Sequence, residues 1–239
     1  MSDERLRVAV VVLAAGRGSR VGKDVSKAFL PLAGRAMLGW SMAQAAQVPS
    51  VTQVLVVIAE RDQVLAQRLL AGERCGVPAR TVVGGTTRHE SEWRALEELA
   101  PDIHAGRLDI VVIHDAARPI AGSQLFEDVI SGAHRHGGAI PAHPTTALIG
   151  TETSHPFPAS DVMAVQTPQA FRAAALLEAY ELANVAGFTG TDTASCVERF
   201  SDLEVHCMVG GAQNIKVTFP DDLRVAERLL AQPMQDALD

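Results

Sequence analysis

Three apolar runs constrain the fold of this chain more than any other feature. They are VAVVVLAA (8–15), VLVVIA (54–59) and IVVI (110–113), and all three are rich in β-branched residues. Strands buried on both faces have this composition, because helices cover both sides of a parallel sheet. The runs therefore predict parallel strands at the centre of the protein.

Segments with helical spacing lie between these runs. In RDQVLAQRLL (61–70) leucines four residues apart share a face, and TRHESEWRALEEL (87–99) opens with a capping box. Thr87 is the predicted N-cap of that box and Glu90 follows three residues later. The alternation predicts an α/β fold with a doubly wound, mostly parallel sheet. Ligands bind beyond the carboxyl ends of such strands, so we expect the loops after residues 15, 83 and 114 to share one rim.

The second half of the chain has a different pattern. Residues 137–171 are rich in Pro, Thr and Ser and have no helical period, which predicts a strand followed by an extended excursion. The remaining predicted elements are helices near 173–183 and 192–200, a strand near 205–209, a strand at NIKVT (214–218) and a closing helix at 221–231. We interpret residues 1–239 as a single domain.

Composition narrows the classes of function. A chain of 239 residues that is 47% hydrophobic can build one sizeable core. Its formal net charge of −7 argues against a general nucleic-acid or membrane-surface binder. The three cysteines have no CxxC spacing, which argues against a disulfide framework or a zinc site. The first apolar run is too short to span a membrane, so we expect a cytoplasmic protein.

A loop rich in glycine and positive charge follows the first run, in GRGSRVGKDVSK (16–27). Its glycines read G-x-G-x-x-x-G rather than the dinucleotide fingerprint, and its GKD sequence departs from the P-loop pattern. Four basic residues against Asp24 give a local charge of +3. Exposed main-chain amides beside clustered cations suit a polyphosphate. The alternative is an ordinary turn between strand and helix with solvated lysines.

Six motifs in fixed order give the chain a family resemblance. They are LAAGRGSRVGKDVSKAFLPLAG, GGTTRHES, HDAARP, VQTPQAF, TDTAS and NIKVTFPDDL. Together they resemble the 2-C-methyl-D-erythritol 4-phosphate cytidylyltransferases of isoprenoid synthesis, and the ribitol-phosphate cytidylyltransferases share much of the pattern. The resemblance covers residues 8–231. It implies a Rossmann-like nucleotidyltransferase fold with a β-arm near 141–163, and a homodimer built through that arm.

The resemblance also implies a reaction and its nucleotide site. An acceptor phosphate attacks the α-phosphorus of CTP, pyrophosphate leaves, and Mg²⁺ holds the triphosphate. Arg20, Lys27 and Lys216 would neutralise charge as catalytic residues. The nucleotide would contact Ala14, Ala15, Gly16, Gly85, Ser91 and Asp115.

Asp115 follows a buried strand, where a carboxylate is costly unless it is paired or bound to metal. It is therefore the candidate ligand for Mg²⁺ or the ribose, and an ion pair with Arg118 is the alternative. His114 fits a packed strand-end histidine better than a catalyst. By resemblance, Arg118, Thr145 and Thr191 would bind the acceptor, a small phosphorylated polyol.

The acceptor half departs from the family pattern. The family carries an arm arginine eight residues before the Thr of TPQ, and this chain has Ala159 there. No Lys or Arg occurs between Arg135 and Arg172. Phosphate sites normally use clustered cations. Three hypotheses follow: methylerythritol phosphate is the acceptor, another polyol phosphate or a phosphonate is the acceptor, or the chain binds nucleotide with little activity.

Overall fold

The computed structural model describes residues 5–16, 26–73, 75–145 and 162–231. Within these ranges one sheet contains eight strands and a small hairpin contains two more. The strands of the main sheet are β1 (Val8–Leu13), β4 (Val51–Ile58), β5 (Ala79–Val83), β6 (Ile110–Asp115), β7 (Gly137–Pro144), β8 (Met163–Val165), β9 (Gln169–Arg172) and β10 (Glu204–Val209). The hairpin consists of β2 (Pro31–Leu32) and β3 (Arg35–Ala36).

The sheet is mostly parallel and has the order β10-β7-β9-β6-β1-β4-β5. Strand β1 lies between β4 and β6 and is parallel to both. Strand β9 is antiparallel to β6 and β7, and β8 is antiparallel to the end of β7. The doubly wound α/β prediction is confirmed, with the antiparallel β9 inserted between parallel strands.

Seven α-helices flank the sheet in the described part of the chain. They are α1 (Met37–Ala46), α2 (Gln63–Gly72), α3 (Arg88–His104), α4 (Ser123–His136), α5 (Ala173–Val185), α6 (Thr193–Phe200) and α7 (Pro220–Ala231). Short 3-10 turns cover Lys27–Phe29 and Glu60–Asp62.

The residues of β1 alternate between two hydrophobic layers. Val8, Val10 and Val12 pack with apolar residues of α1 and α4. Ala9 and Val11 pack on the opposite face, with apolar residues of α3, α5 and α6. Burial on both faces explains why the strand has no polar alternation. The three apolar runs are therefore the inner strands β1, β4 and β6, as their composition predicted.

The capping box of α3 is confirmed at Thr87 and modified at Glu90. The Thr87 hydroxyl accepts from the Glu90 main-chain N–H at 3.0 Å. The Glu90 carboxylate does not return to Thr87 but accepts from the main chain and hydroxyl of Thr86, at 2.7 and 2.8 Å. The carboxylate therefore folds over the turn that precedes the helix.

The predicted strand at 214–218 is wrong, because this segment is irregular in the structure. Its Val217 N–H donates to the oxygen of Ala117 at 2.8 Å, in the loop after β6. The Asn214 oxygen accepts from Arg118 at 2.6 Å. The main chain is thus satisfied by a loop and a side chain instead of a neighbouring strand.

Several sequence predictions fall outside the described residues. They include Arg20, most of the glycine loop, Ala159 and the greater part of the predicted arm. None of the helices in the described part of the chain is long and apolar enough to cross a membrane.

Candidate active site

A cleft of about 740 Å³ opens at the carboxyl ends of β1, β4, β5 and β6. Its volume is typical of a site for a small molecule. The lining residues are Leu13, Ala14, Ala15, Gly16, Lys27, Ala28, Ala59, Glu60, Arg61, Val83, Gly84, Gly85, Thr86, Thr87, Arg88, Glu90, Ser91, Asp115, Ala116, Ala117 and Lys216. The loops after β1, β5 and β6 therefore share one rim, as predicted.

Gly84 lines one end of the cleft and lies close to three other segments of the chain. A Cβ on Gly84 would lie 2.8 Å from the Ser91 hydroxyl oxygen, 2.8 Å from Val57 Cγ1 and 3.0 Å from Ala15 Cβ. Such distances leave no room for a side chain. The sequence prediction named Gly85 and not Gly84, although both glycines were visible in GGTTRHES.

The hydroxyl of Ser91 organises the turn between β5 and α3. It accepts from the Gly85 main-chain N–H at 3.1 Å and donates to the Thr87 oxygen at 2.8 Å. The hydroxyl proton of Ser91 is thus engaged in a hydrogen bond within the protein. This geometry supports a structural role for Ser91, and its predicted contact with the base stays a prediction.

The cleft joins two lysines from distant parts of the chain. Lys27 Nζ donates to the main-chain oxygen of Val217 at 2.9 Å. Lys216 Nζ lies 2.7 Å from Asp115 Oδ2. Both lysines line the cleft. The two lysines therefore lie at one cleft, their catalytic roles stay predictions, and Arg20 lies outside the described residues.

Asp115 ends β6 as a buried carboxylate between two cations. Arg88 Nη1 donates to Asp115 Oδ1, and Lys216 contacts the other oxygen. Burial alone would raise the pKa of Asp115, but the charges and hydrogen bonds of Arg88 and Lys216 outweigh it and hold that pKa well below its usual range. Asp115 is therefore an ionised carboxylate with both oxygens engaged.

The sequence raised an ion pair between Asp115 and Arg118 as an alternative. In the structure the Asp115 carboxylate pairs with Arg88 and Lys216. The Arg118 guanidinium donates instead to the main-chain oxygens of Asn214 and Val165, at 2.6 and 3.4 Å. Its main-chain N–H bonds the main-chain oxygen of Asp115 at 2.9 Å. Arg118 thus joins the segment of Lys216 to β8.

The three predicted acceptor residues are Arg118, Thr145 and Thr191, and the lining of the cleft does not include them. Thr145 is half-buried beyond the end of β7, where its N–H contacts the Val162 oxygen at 3.4 Å. Thr191 is exposed just before α6. The acceptor roles of these residues stay predictions.

His114 is a packed histidine, as expected. Its Nε2 lies 3.2 Å from the Arg118 oxygen and its Nδ1 lies 3.3 Å from the Thr167 hydroxyl. The hydroxyl in turn accepts from the Asp115 N–H at 3.0 Å. A neutral ring with its proton on Nε2 satisfies all three contacts. Burial lowers the pKa of His114 to about 4.

Sequence reasoning missed Arg88, which lines the cleft and pairs with Asp115. A signal was present, because Arg88 follows the N-cap Thr87 directly. The dipole of a helix disfavours a cation in the first turn. A cation at that position indicates a compensating anion, here Asp115.

The family model for 2-C-methyl-D-erythritol 4-phosphate cytidylyltransferase matches residues 8–232. The protein of that name from Geobacillus kaustophilus is 35% identical over 230 residues, which span 95% of this chain and 98% of the relative. The one from Symbiobacterium thermophilum is 36% identical over 231 residues, which span 94% and 93%.

Solved structures agree with these relatives. The 4-diphosphocytidyl-2C-methyl-D-erythritol synthase of Anaerococcus prevotii superposes with a TM-score of 0.81 at 25% identity, covering 96% of this chain and 100% of that one. The 2-C-methyl-D-erythritol 4-phosphate cytidylyltransferase of Thermus thermophilus superposes with a TM-score of 0.72 at 31% identity, covering 94% and 98%. By its sequence, by its fold and by the meeting of its motif residues at one sheet edge, the chain belongs to the 2-C-methyl-D-erythritol 4-phosphate cytidylyltransferase family.

Proposed function

We propose that this protein transfers CMP from CTP to 2-C-methyl-D-erythritol 4-phosphate and releases pyrophosphate, a step of isoprenoid precursor synthesis by the non-mevalonate pathway. The observation that carries the proposal is the convergence of Lys27 and Lys216 in a cleft at the carboxyl ends of the central strands. Family membership gives the substrates, and the cleft offers a site of suitable size and charge.

The end of the cleft at Gly84 suits the pyrimidine base. Ala14, Ala15 and Gly16 present main chain and small side chains there, opposite Gly84 and Gly85. Main-chain N–H and C=O groups at such a place can read the edge of a flat base while side chains are absent. We assign this end of the cleft to cytosine.

The cationic end suits the triphosphate. An acceptor phosphate oxygen attacks the α-phosphorus, the bond to the bridging oxygen breaks, and its electron pair leaves with pyrophosphate. Lys27 and Lys216 would hold the negative charge that builds on the phosphoryl oxygens. Lys216 exchanges its contact with Asp115 for a phosphate oxygen when the nucleotide enters.

The residues of the cleft fit a Mg²⁺ ion that enters with the triphosphate. Mg²⁺ keeps several waters and commonly binds through one or two carboxylates plus substrate phosphates. Asp115 is the residue that would hold it, since Lys216 can turn from Oδ2 to the phosphates. When bound, the ion neutralises charge on the triphosphate.

A second candidate acceptor deserves a test because residues 136–171 contain neither Lys nor Arg. A dianionic acceptor phosphate normally meets clustered cations. Another polyol phosphate or a phosphonate is therefore the alternative substrate, and a nucleotide-binding protein with little activity is the alternative function.

The deciding experiment measures Mg²⁺-dependent pyrophosphate release from CTP with methylerythritol phosphate, ribitol phosphate and small phosphonates in parallel. Turnover with methylerythritol phosphate at the highest kcat/KM is the expected result. Turnover with another acceptor alone contradicts the assigned substrate and leaves CMP transfer intact. Binding of CTP without pyrophosphate release on any acceptor contradicts the enzyme assignment.

We also propose the assembly and location that the resemblance implies. The chain would form one domain over residues 1–239, with an arm near 141–163 that pairs with a second copy in a homodimer. Its substrates are small cytosolic anions, which fits a cytoplasmic protein that binds no nucleic acid or membrane.

A further inference from the structure

A row of alternating charges runs from the cleft into the core of the protein. It begins at Lys216, whose Nζ lies 2.7 Å from Asp115 Oδ2. Arg88 donates to the other oxygen of Asp115, and Arg88 Nε lies 3.0 Å from Glu92 Oε1. The row therefore contains two cations and two carboxylates, and its formal charge is zero. Glu92 is its innermost member.

Glu92 is buried in the layer between α3, α5 and α6, with its side chain 1% exposed. The Tyr180 hydroxyl donates to Oε2, and the Thr193 hydroxyl donates to Oε1 at 2.7 Å. Arg88 completes the surroundings on its own helix. The two hydroxyls donate hydrogen bonds to the carboxylate and Arg88 supplies a positive charge beside it, which together are the surroundings that an ionised acid needs inside a protein. The site is thus built for a buried anion.

Arg88 lies between the two carboxylates and depends on both. Its Nη1 contacts Asp115 and its Nε faces Glu92. Its buried Nε and Nη2 have no hydrogen-bond partner among the described residues, so the contact of Nε with Glu92 is an ion pair. The position in the first turn of α3 adds no electrostatic support, because the helix dipole opposes a cation there. The orientation of the guanidinium is therefore set by the two carboxylates together.

We infer that Glu92 is a positioning residue of the active site: it fixes the Arg88 guanidinium against Asp115 and so sets where Asp115 and Lys216 stand in the cleft. The inference rests on the proposed CMP transfer. Glu92 is buried and is not among the described residues that line the cleft. It acts through Arg88, and Arg88 acts through Asp115.

Loss of the Glu92 charge has a specific kinetic consequence. Arg88 would then have Asp115 as its one carboxylate partner in the row and would draw that carboxylate out of place. The groups that stabilise the transition state shift, and a shift of about 1 Å can cost about 100-fold in rate. The row also gains one positive charge, so binding of the anionic nucleotide does not weaken. A loss in kcat with little change in the KM for CTP follows.

The test compares Glu92→Gln with the wild type in the pyrophosphate-release assay, using the acceptor that gives turnover. We expect kcat to fall by about 10- to 100-fold with a KM for CTP within about twofold of the wild type. Val197→Ala is the matched control, because Val197 is buried in α6 of the same core layer. It should lower the melting temperature and leave kcat and KM unchanged. Wild-type kcat in Glu92→Gln would overturn the inference.

A double variant separates positioning from general stability. If Glu92 acts through Arg88, then Arg88→Gln with Glu92→Gln has the same kcat as Arg88→Gln alone. Multiplied losses would mean that Glu92 acts by another route. Should Glu92→Gln fail to fold, Tyr180→Phe and Thr193→Val each remove one donor to Glu92, and both should lower kcat by less than Glu92→Gln was expected to. Unchanged kcat in both would count against the inference.

An NMR measurement tests the position of Asp115 without depending on CMP transfer. The carboxyl carbon of Asp115, assigned with Asp115→Asn, should change its ¹³C chemical shift in Glu92→Gln or, if that variant is unfolded, in Tyr180→Phe. It should not change in Val197→Ala. An unchanged Asp115 signal overturns the inference even when CMP transfer is observed. A changed signal in a protein that transfers no CMP contradicts the proposed function but still supports the positioning of Asp115 by Glu92 through Arg88.

Discussion

The Lys27 ammonium donates to the main-chain oxygen of Val217 at 2.9 Å, and 190 residues separate the two in the chain. This bond ties the end of the glycine loop to the segment that carries Lys216. The Lys27 ammonium and the main chain that carries Lys216 are therefore held together before any ligand enters. A preorganised pair of cations stabilises developing charge without rearranging during the reaction.

Lys27→Ala and Lys216→Ala should each lower kcat by about 10²- to 10³-fold, because each removes a cation from the developing charge. Steady-state pyrophosphate release measures the effect. Arg68→Ala is the matched control, since Arg68 is an exposed cation of α2 away from the cleft. A wild-type kcat in either lysine variant, with the fold retained, would refute the assignment of that lysine.

Ser26→Ala should loosen the turn that carries Lys27. The buried Ser26 hydroxyl donates to Asp62, a carboxylate that is 2% exposed. Its loss leaves that carboxylate short of a donor, at a cost of about 1 to 3 kcal/mol in the free energy of unfolding. The KM for CTP should rise because Lys27 follows Ser26 directly. Urea denaturation and steady-state kinetics measure the two effects.

Ser41→Ala is the control for that variant. Ser41 is as buried as Ser26, but its hydroxyl has no hydrogen-bond partner within the described ranges. Removing it should leave stability equal or higher. Equal losses in the two variants would mean that the bond to Asp62 contributes nothing.

Gly84→Ala should impair nucleotide binding at the end of the cleft that we assign to the base. The new Cβ would meet the Ser91 hydroxyl oxygen and Val57 Cγ1, both at 2.8 Å. Such overpacking costs about 1 to 3 kcal/mol and displaces the turn before α3. We expect a higher KM for CTP, measured together with the melting temperature.

Gly72→Ala provides the comparison, because no heavy atom that the structure describes lies within 4 Å of a Cβ at Gly72. An alanine near the end of α2 should be neutral or stabilising by up to about 1 kcal/mol. If Gly84→Ala bound CTP as tightly as Gly72→Ala, the end of the cleft at Gly84 would not be the base site.

The protein should lose stability as pH falls from about 6.5 to about 4, in part through His114. The folded pKa of His114 is about 4, below the ordinary value of 6.5, because the ring is fully buried and neutral. The unfolded chain binds a proton first, so the contribution is complete above about pH 6.5 and falls by about 3 kcal/mol towards pH 4.

His114→Gln removes that titration. Its free energy of unfolding should be lower near pH 7 and should change less between about pH 6.5 and about pH 4.5 than that of the wild type. Denaturation at several pH values gives the comparison. Parallel curves for the two proteins would show that His114 does not titrate as stated. Burial raises the pKa of Glu92, which is present in both proteins, so its effect cancels in the difference.

The central strands could be predicted because their composition reflects burial on both faces, a condition that is local to each run. The six residues of β1 contribute side chains alternately to the two hydrophobic layers. The meeting of the loops after β1, β5 and β6 could also be predicted, since parallel strands end at one edge of the sheet. The failure at 214–218 has a different cause. Whether an apolar segment finds a strand partner depends on the rest of the fold, and here Ala117 and Arg118 occupy that place.

The row of charges from Lys216 to Glu92 could not be predicted from the sequence, because most of the residues that contact one another in it are far apart in the chain. Glu92 receives its hydroxyl donors from residues 88 and 101 positions away. One local sign existed, since Glu92 lies on the face of α3 that carries Leu96 and Leu99. A carboxylate on an apolar stripe implies a buried cation. Its identity required the structure.

The antiparallel insertion of β9 divides the edge of the sheet between two stretches of the chain. Residues up to Ala117, together with Lys216, build the cleft that we assign to the nucleotide, whereas Thr167, just before β9, meets that edge through one hydroxyl that accepts from the Asp115 N–H. Substitutions between Ala117 and Thr167, where none of the described residues lines the cleft, can therefore alter the choice of acceptor during evolution while the contacts to the nucleotide persist. One alcohol phosphate could thus replace another as acceptor without changes to Lys27, Lys216 or Asp115.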